Sequence, residues 1–137
     1  MSAIKSRHTK PEIVVRTALH AAGLRYRLHA GDLAGKPDLV FPRYKAVVFV
    51  HGCFWHQHDC HLFRWPATRQ DFWHEKICRN VANDQRSAIA LQEDGWRMAT
   101  VWECALKGRT RLNFIEAMQL LIDWIKADEQ TLTIRGN

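Results

Sequence analysis

The sequence predicts an α/β fold in a single domain, with a mixed central sheet and helices packed against it. At 137 residues the chain has the length of one ordinary domain. Apolar residues recur at helical spacing in three segments, residues 10–22, 68–94 and 111–126, and short apolar runs of strand length lie between them. This alternation of patterns predicts helices that cover a sheet.

The first predicted helix begins in the segment Thr9-Lys10-Pro11-Glu12. Thr9 and Glu12 have the spacing of a capping box, in which the hydroxyl accepts from the backbone three residues later, and Pro11 suits the first turn. Gly23 ends the helical pattern.

Three strands are predicted next. Residues 24–28 alternate between apolar and polar side chains, as a half-buried strand does, and residues 39–41 form a short apolar run. A turn at residues 42–44 leads to residues 45–50, which are apolar almost throughout and therefore predict a central strand. Residues 51–66 have no regular period and are rich in histidine, cysteine and aromatic residues.

The remaining chain predicts a helix, a strand and a second helix. Thr68 with Asp71 indicates a helix start, and Gly95 ends that helical pattern. Residues 96–102 predict a strand and residues 111–126 an amphipathic helix. The predicted order is therefore α-β-β-β-α-β-α.

The composition points to a basic, globular protein. The formal net charge is +6, and 47% of the residues are apolar, enough to bury a core. Excess Lys and Arg favour a polyanionic partner, because phosphate binding releases condensed counterions. No apolar run approaches the roughly 20 residues that span a bilayer, and the start lacks a signal-peptide pattern, so we expect a cytosolic protein without membrane contact.

A metal site is predicted in the irregular segment. Cys53, His58 and Cys60 offer three ligands at short spacing, and zinc favours tetrahedral sulfur and nitrogen coordination by four protein ligands. Cys104 is the preferred fourth ligand because it follows the strand that ends near residue 102, where a neighbouring strand would meet residues 47–50. Cys78, inside a helical pattern, and His61 remain alternatives, as does a loop of unrelated residues.

A catalytic site is predicted at the edge of the sheet. If the strands flanking residues 42–44 pair, Asp38 and His51 lie near one edge, where Asp38 and the backbone carbonyl of Val50 could bind Mg²⁺. Phosphodiester hydrolysis uses such a cation, and His56 could serve as the general base. The ordinary alternatives are that Asp38 starts a turn, that His51 and His56 are further zinc ligands or solvated, and that Glu12 only caps its helix.

Large aromatic side chains adjoin both predicted sites. Phe54 and Trp55 follow a proposed zinc ligand directly, and Trp65 and Trp73 lie in or near the same segment. They either pack around the zinc site or stack between DNA bases and open a step of the duplex.

Four segments taken together resemble the very short patch repair endonucleases, the Vsr family. They are GKPD at 35–38, VVFVHGCFWHQHDC at 47–60, PATRQDFW at 66–73 and VWECAL at 101–106. The resemblance covers nearly the whole chain and implies a restriction-endonuclease-like core. It also implies a nick in one DNA strand, 5′ to the thymine of a T:G mismatch that arises by deamination of 5-methylcytosine.

The resemblance further implies roles for individual residues. Asp38 would bind magnesium, His56 would activate the attacking water, His51 would assist near the scissile phosphate, and Glu12 would support them. The structural zinc would be held by Cys53, His58, Cys60 and Cys104. The residues that would intercalate beside the mismatch, or lie near it, are Phe54, Trp55 and Trp73. Mismatch-repair and cytosine-methylation proteins would be partners, and a monomer would suffice for a nick.

The chain departs from the family pattern at three places. His51 stands where the general nuclease core has a lysine, and Val50 stands where a threonine is known, so only its carbonyl could bind a cation. Residues 1–8, including Met1, would be a short form of the arm that grips DNA, or the start is truncated; residues 9–137 would form the endonuclease domain. The competing functions are a zinc-stabilised DNA-binding module without hydrolysis and a related nuclease of other specificity.

Overall fold

The structure, a computed structural model, describes residues 9–137. Its helices are α1 (Lys10–Ala21), α2 (Gln70–Glu93), α3 (Glu103–Leu106) and α4 (Phe114–Lys126). Its strands are β1 (Arg27–Leu28), β2 (Leu39–Phe41), β3 (Ala46–His51), β4 (Arg97–Trp102) and β5 (Thr131–Ile134). The α/β prediction is confirmed.

The five strands form one mixed sheet in the order β1-β2-β3-β4-β5. The pairs β1–β2 and β2–β3 are antiparallel, whereas the pairs β3–β4 and β4–β5 are parallel. The short helix Pro42–Tyr44 makes the turn between β2 and β3, and Lys45 leaves it with a left-handed backbone at φ 53°. The crossovers between the parallel strands are made by α2 and by α3 with α4.

Both faces of the sheet are buried. Leu39, Phe41 and Val48 contribute to a core that also contains Leu19 of α1 and Leu121 of α4. The opposite face packs in a smaller core under α2, formed by Ala30, Val40, Val47, Phe49 and Leu91. Burial on both faces explains why β3 is apolar along most of its length rather than alternating.

The two predicted helix starts have different outcomes. The Thr9 side chain accepts from the backbone N–H of Glu12, so the cap of α1 is confirmed. α2 instead begins after Arg69, whose backbone is left-handed at φ 52°, and within the described chain no side chain caps it. The prediction that Thr68 caps this helix was wrong, since the left-handed residue intervenes.

Four other elements differ from the sequence prediction. β1 comprises only Arg27–Leu28, and α4 begins at Phe114 because the Asn113 side chain accepts from the N–H of Glu116 and fixes the helix start there. The strand β5 and the short helix α3 were not predicted. β5 alternates between exposed and buried residues and extends the sheet beyond β4.

In the part of the chain that the structure describes, no helix has the length and apolar character needed to cross a bilayer.

Candidate active site and metal centre

The sheet brings the predicted polar residues to one edge. The β2–β3 register pairs Leu39 with Val48, so Asp38, just before β2, lies beside the end of β3. The parallel β3–β4 register places His51 opposite Trp102. Asp38 and His51 therefore lie at the same edge, as the predicted hairpin requires.

Asp38 is a half-buried carboxyl group held by the end of β3. Its Oδ2 accepts a hydrogen bond of 2.7 Å from the backbone N–H of Val50. Burial raises the pKa of Asp38 to about 7, and the neighbouring Glu12 adds to the rise while the Val50 N–H opposes it. A cation beside Asp38 would reverse this effect by favouring the charged form.

Glu12 lies next to Asp38 although it belongs to α1. The Glu12 side chain is 1% exposed, and its Oε2 lies 2.9 Å from Arg16 Nη1 and 2.8 Å from His29 Nε2. One ligand atom each from Glu12, His29 and Asp38 lies within 4.8 Å of the others. Glu12 thus does more than cap its helix; it completes a group of side chains that could hold a divalent cation.

His51 and His56 form a stacked pair beside this group. Their ring centroids are 3.7 Å apart, with an interplanar angle of 7°. Burial holds the pKa of His51 well below its usual range, and the adjacent His56 lowers it further. His51 Nδ1 is buried and has no hydrogen-bond partner among residues 9–137, so one polar atom beside the cleft is left unsatisfied.

Two residues of this site were missed by sequence reasoning. Asp84, on α2, places its Oδ2 2.5 Å from His56 Nδ1, and His29 contacts Glu12. Asp84 is one of many charged residues in a helical pattern, and no local motif distinguishes it. His29 follows the predicted strand at residues 24–28, but only the tertiary fold brings it to α1.

These groups line one open cleft of about 1150 Å³. Asp38, His51, His56, Asp84, Lys36 and Trp55 all contribute to its walls. A cleft of this size with convergent carboxyl and imidazole groups is typical of a binding or catalytic site.

A second group of ligands lies on the other side of Trp102. Cys53, His58, Cys60 and Cys104 each offer one atom within 4.8 Å of the others. His58 Nδ1 lies 3.5 Å from the sulfurs of both Cys53 and Cys104. Tetrahedral zinc, with bonds of about 2.3 Å to sulfur and 2.0–2.1 Å to nitrogen, would separate such ligand atoms by roughly 3.6 Å, so this set fits a zinc ion.

The chemistry of these ligands also fits a metal. All four cysteines, which all lie in the described residues, are free rather than paired. Burial raises the pKa of Cys53 far above its usual range, and the neighbouring thiols of Cys104 and Cys60 add to the rise. A bound cation would supply the positive charge that buried thiolates need.

The alternative ligands lie elsewhere. Cys78 is exposed on α2 and is not part of the cluster, so Cys104 is the fourth cysteine or histidine that the fold brings to Cys53. Cys104 stands in α3, and the N–H of Cys53 donates to Glu103 Oε1 of the same helix, which ties the loop after β3 to the end of β4. His61 is also outside the cluster.

The predicted aromatic residues pack against one another, and one of them, Trp55, lines the cleft. The ring centroid of Phe54 lies 5.0 Å from that of Trp55 and 5.4 Å from that of Trp73. All three are half-buried, and the Trp55 carbonyl accepts from Asn80 of α2. Phe63 and Trp65 continue this aromatic group along the loop. The predicted DNA contact at Met1 and the arm at residues 1–8 lie outside the described residues.

A cleft with paired carboxyl groups and imidazoles, on the edge of a mixed sheet, is typical of enzymes that use a divalent cation for hydrolysis. The chain is 47% identical over 125 residues to the DNA mismatch endonuclease Vsr of Escherichia coli (strain K12), an alignment that covers 91% of this chain and 80% of that protein. It is 51% identical over 106 residues to the type II nicking enzyme V.XorIIP of Xanthomonas oryzae pv. oryzae, covering 77% of this chain and 78% of that enzyme.

The type II nicking enzyme V.NmeAIP of Neisseria meningitidis serogroup A is 44% identical over 117 residues, covering 82% of this chain and 84% of that enzyme. Residues 1–62 match the family model described as DNA mismatch endonuclease Vsr. The protein is therefore an endonuclease. It belongs to the Vsr family of DNA mismatch endonucleases.

Proposed function

We propose that this endonuclease nicks one DNA strand 5′ to the thymine of a T:G mismatch, in a reaction that depends on Mg²⁺. The observation that carries the proposal is the cleft lined by Asp38 and by the stacked rings of His51 and His56, with the buried Glu12 next to Asp38. The mixed sheet with this cleft at its edge supports a restriction-endonuclease-like core.

The magnesium ion would be held by Asp38, with Glu12 nearby and the backbone carbonyl of Val50 as a further oxygen ligand. Two adjacent, largely buried carboxyl groups fit a hard cation, because its charge would offset both their burial and their mutual repulsion. When bound, Mg²⁺ supplies polarisation of the phosphoryl oxygen and stabilisation of the charge that develops on it.

The histidines would move the protons. The Asp84 carboxylate at His56 Nδ1 favours the tautomer with a proton on Nδ1, which leaves Nε2 free to take a proton from the attacking water. As that oxygen bonds to phosphorus, the bond from phosphorus to the leaving oxygen breaks. His51, neutral in its half-buried position, would contact the scissile phosphate, a role that its unpartnered Nδ1 supports.

The cluster of Cys53, His58, Cys60 and Cys104 would bind a structural Zn²⁺. The loop between β3 and α2 has little regular secondary structure, so its order depends on such a crosslink. Because His56 lies between two of these ligands in sequence, the zinc ion would also position the proposed base.

DNA would be recognised through charge and stacking. The net charge of +6 supports phosphate binding, and Phe54, Trp55 and Trp73 would enter the stack beside the mismatch, with Met1 as a further contact. The Escherichia coli relative is named a DNA mismatch endonuclease, which supports a mismatched duplex as the substrate. We further propose a cytoplasmic monomer that acts together with mismatch-repair and cytosine-methylation proteins.

The test uses a labelled duplex with one T:G mismatch and a matched T:A duplex of the same sequence. With the zinc-loaded protein and Mg²⁺, we expect a single cut 5′ to the mispaired thymine. Ca²⁺ in place of Mg²⁺ should permit binding without cutting, and EDTA should abolish the nick. Equal cutting of the matched duplex would contradict the proposed specificity, and cutting without a divalent ion would contradict the proposed role of magnesium.

A further inference from the structure

The residues after β5 reach the cysteine-rich cluster. β3, β4 and β5 run parallel, so their ends lie at one edge of the sheet. Cys53 follows β3, Cys104 follows β4, and Arg135 and Gly136 follow β5. The topology thus brings three separate segments to the same place.

Gly136 approaches Cys104 more closely than any other residue type could. Its backbone N–H donates to Cys104 Sγ at 3.3 Å, and the N–H of Asn137 donates to the Thr110 carbonyl at 2.9 Å. A β-carbon on Gly136 would lie only 2.5 Å from the Cys104 carbonyl oxygen and 2.8 Å from that of Thr110. Because these are backbone atoms, they have little freedom to yield.

Arg135 reaches the cluster through Asp59. Its Nη1 lies 2.6 Å from Asp59 Oδ1 and its Nη2 donates to the Asp59 carbonyl at 3.2 Å. Asp59 Oδ1 in turn lies 3.6 Å from His58 Nε2, while His58 Nδ1 faces the sulfurs. The Asp59 carboxylate thus faces the far nitrogen of the imidazole from just beyond hydrogen-bond distance, and carboxylates at this nitrogen help to orient ligating rings in metal centres.

We infer that residues 135–137 are positioning residues of the metal centre, with Gly136 donating to the Cys104 sulfur and Arg135 orienting His58 through Asp59. The inference rests on the proposed zinc site. Three thiolates and a neutral imidazole around a divalent cation carry a net negative charge, and an N–H donor to one sulfur stabilises that charge. Residues 135–137 should therefore slow the loss of the metal ion.

The test measures metal retention in Gly136→Ala and Arg135→Ala, with Arg109→Ala as a control that removes the same charge from an exposed position outside the cluster. Zn²⁺ affinity is measured by competition with a chelator, and Co²⁺ serves as a spectroscopic probe of the thiolate ligands. We expect about tenfold weaker Zn²⁺ binding in Gly136→Ala and a few-fold loss in Arg135→Ala, whose exposed ion pair contributes less.

The sulfur-to-cobalt absorption band should also shift in Gly136→Ala, which a purely structural role of the segment would not cause. If Gly136→Ala fails to fold, Arg135→Ala decides, because its exposed side chain can be removed without disturbing the core. If the folded variants bind Zn²⁺ with wild-type affinity and their Co²⁺ spectra match the wild type, the inference about residues 135–137 is overturned but the proposed metal site is not. A wild-type protein that takes up neither Zn²⁺ nor Co²⁺ would overturn the proposed metal site with it.

Discussion

Trp102 contacts two regions to which the loop after β3 contributes, and the two regions differ in how their polar atoms are paired. On one side the His58 ring stacks on Trp102 with centroids 4.0 Å apart, and its Nδ1 faces the cysteine sulfurs. On the other side His51 meets Trp102 edge-on at 5.2 Å, and its Nδ1 lies buried without a partner among the described residues. In the cysteine-rich region the imidazole nitrogen thus has partners within the protein, whereas in the cleft the Nδ1 of His51 has none among the described residues.

This difference predicts separate roles, stability for the cysteine-rich cluster and catalysis for the cleft. A buried polar atom without a partner costs free energy, and natural proteins tolerate such atoms where a ligand or substrate supplies the partner. The carboxyl of Asp38, whose pKa is raised to about 7 by burial, belongs to the same open region. Substitutions in the cleft should therefore reduce activity with little loss of stability, and substitutions in the cysteine-rich cluster should do the reverse.

The largest expected effect is on the cleft side. Asp38→Asn removes the proposed cation ligand while its amide oxygen can still accept from the Val50 N–H. We expect nicking to fall by about 1000-fold or more, equivalent to roughly 4 kcal/mol, with mismatch binding preserved. Asp94→Asn, an exposed carboxylate outside the cleft lining, serves as the control in the same nicking and gel-shift assays.

The same substitution should raise the stability of the metal-free protein at alkaline pH. The folded pKa of Asp38, about 7, exceeds the ordinary aspartate pKa of 3.8, so the unfolded chain loses this proton at lower pH than the folded one. The contribution is most favourable below about pH 4 and is lost as pH rises towards 7. Thermal melts at pH 5 and pH 8 should show a gain for Asp38→Asn mainly at pH 8. A loss of stability at both pH values would argue against this account.

The second effect falls on the cluster side. Cys60→Ser should abolish zinc binding and lower the midpoint of thermal unfolding by on the order of 10 °C, because the loop after β3 loses its crosslink. Cys78→Ser is the matched control, since Cys78 is exposed on α2 outside the cluster. Calorimetry with metal analysis measures both. A Cys60→Ser protein that lacked zinc but melted like the wild type would rule out the structural role.

Local patterns predicted most of the fold but not all of its elements. The capping box at Thr9 and the apolar run of β3 specify structure within a few residues, and both were predicted correctly. β5 was missed because four residues of alternating burial give a weak local signal. Its role is visible only once α4 returns the chain alongside β4, so tertiary context decides the strand.

The site shows the same division. Asp38 and His51 could be predicted because a short turn joins their strands, and Cys104 because it follows a strand end. Asp84 could not, since α2 brings it to His56 from 28 positions away along the chain. Residues that act through another side chain leave no spacing pattern in the sequence, whereas those that share a hairpin or loop do.

Asp84 provides the third test, with an expected effect of intermediate size. Asp84→Asn should lower kcat by roughly 10- to 100-fold, because a neutral amide can donate to His56 Nδ1 as well as accept from it and so no longer fixes the tautomer, while KM stays nearly constant. Glu75→Gln, an exposed carboxylate on the same helix, is the control. Asp84→Glu should restore part of kcat. A higher KM together with a lower melting temperature would instead assign Asp84 a packing role.

The smallest effect concerns the aromatic residues that border both regions. If Trp55 and Trp73 stack on bases, Trp55→Ala should weaken binding to a T:G duplex by about tenfold, or 1–2 kcal/mol, and weaken binding to the matched duplex much less. Trp96→Ala removes a half-buried indole that packs against the smaller core outside the cleft lining, and it controls for general destabilisation. If these rings only pack around the cysteine-rich cluster, Trp55→Ala will instead lower the melting temperature and reduce binding to both duplexes alike. Fluorescence anisotropy with the two duplexes, alongside thermal melts, therefore decides which region the aromatic group serves.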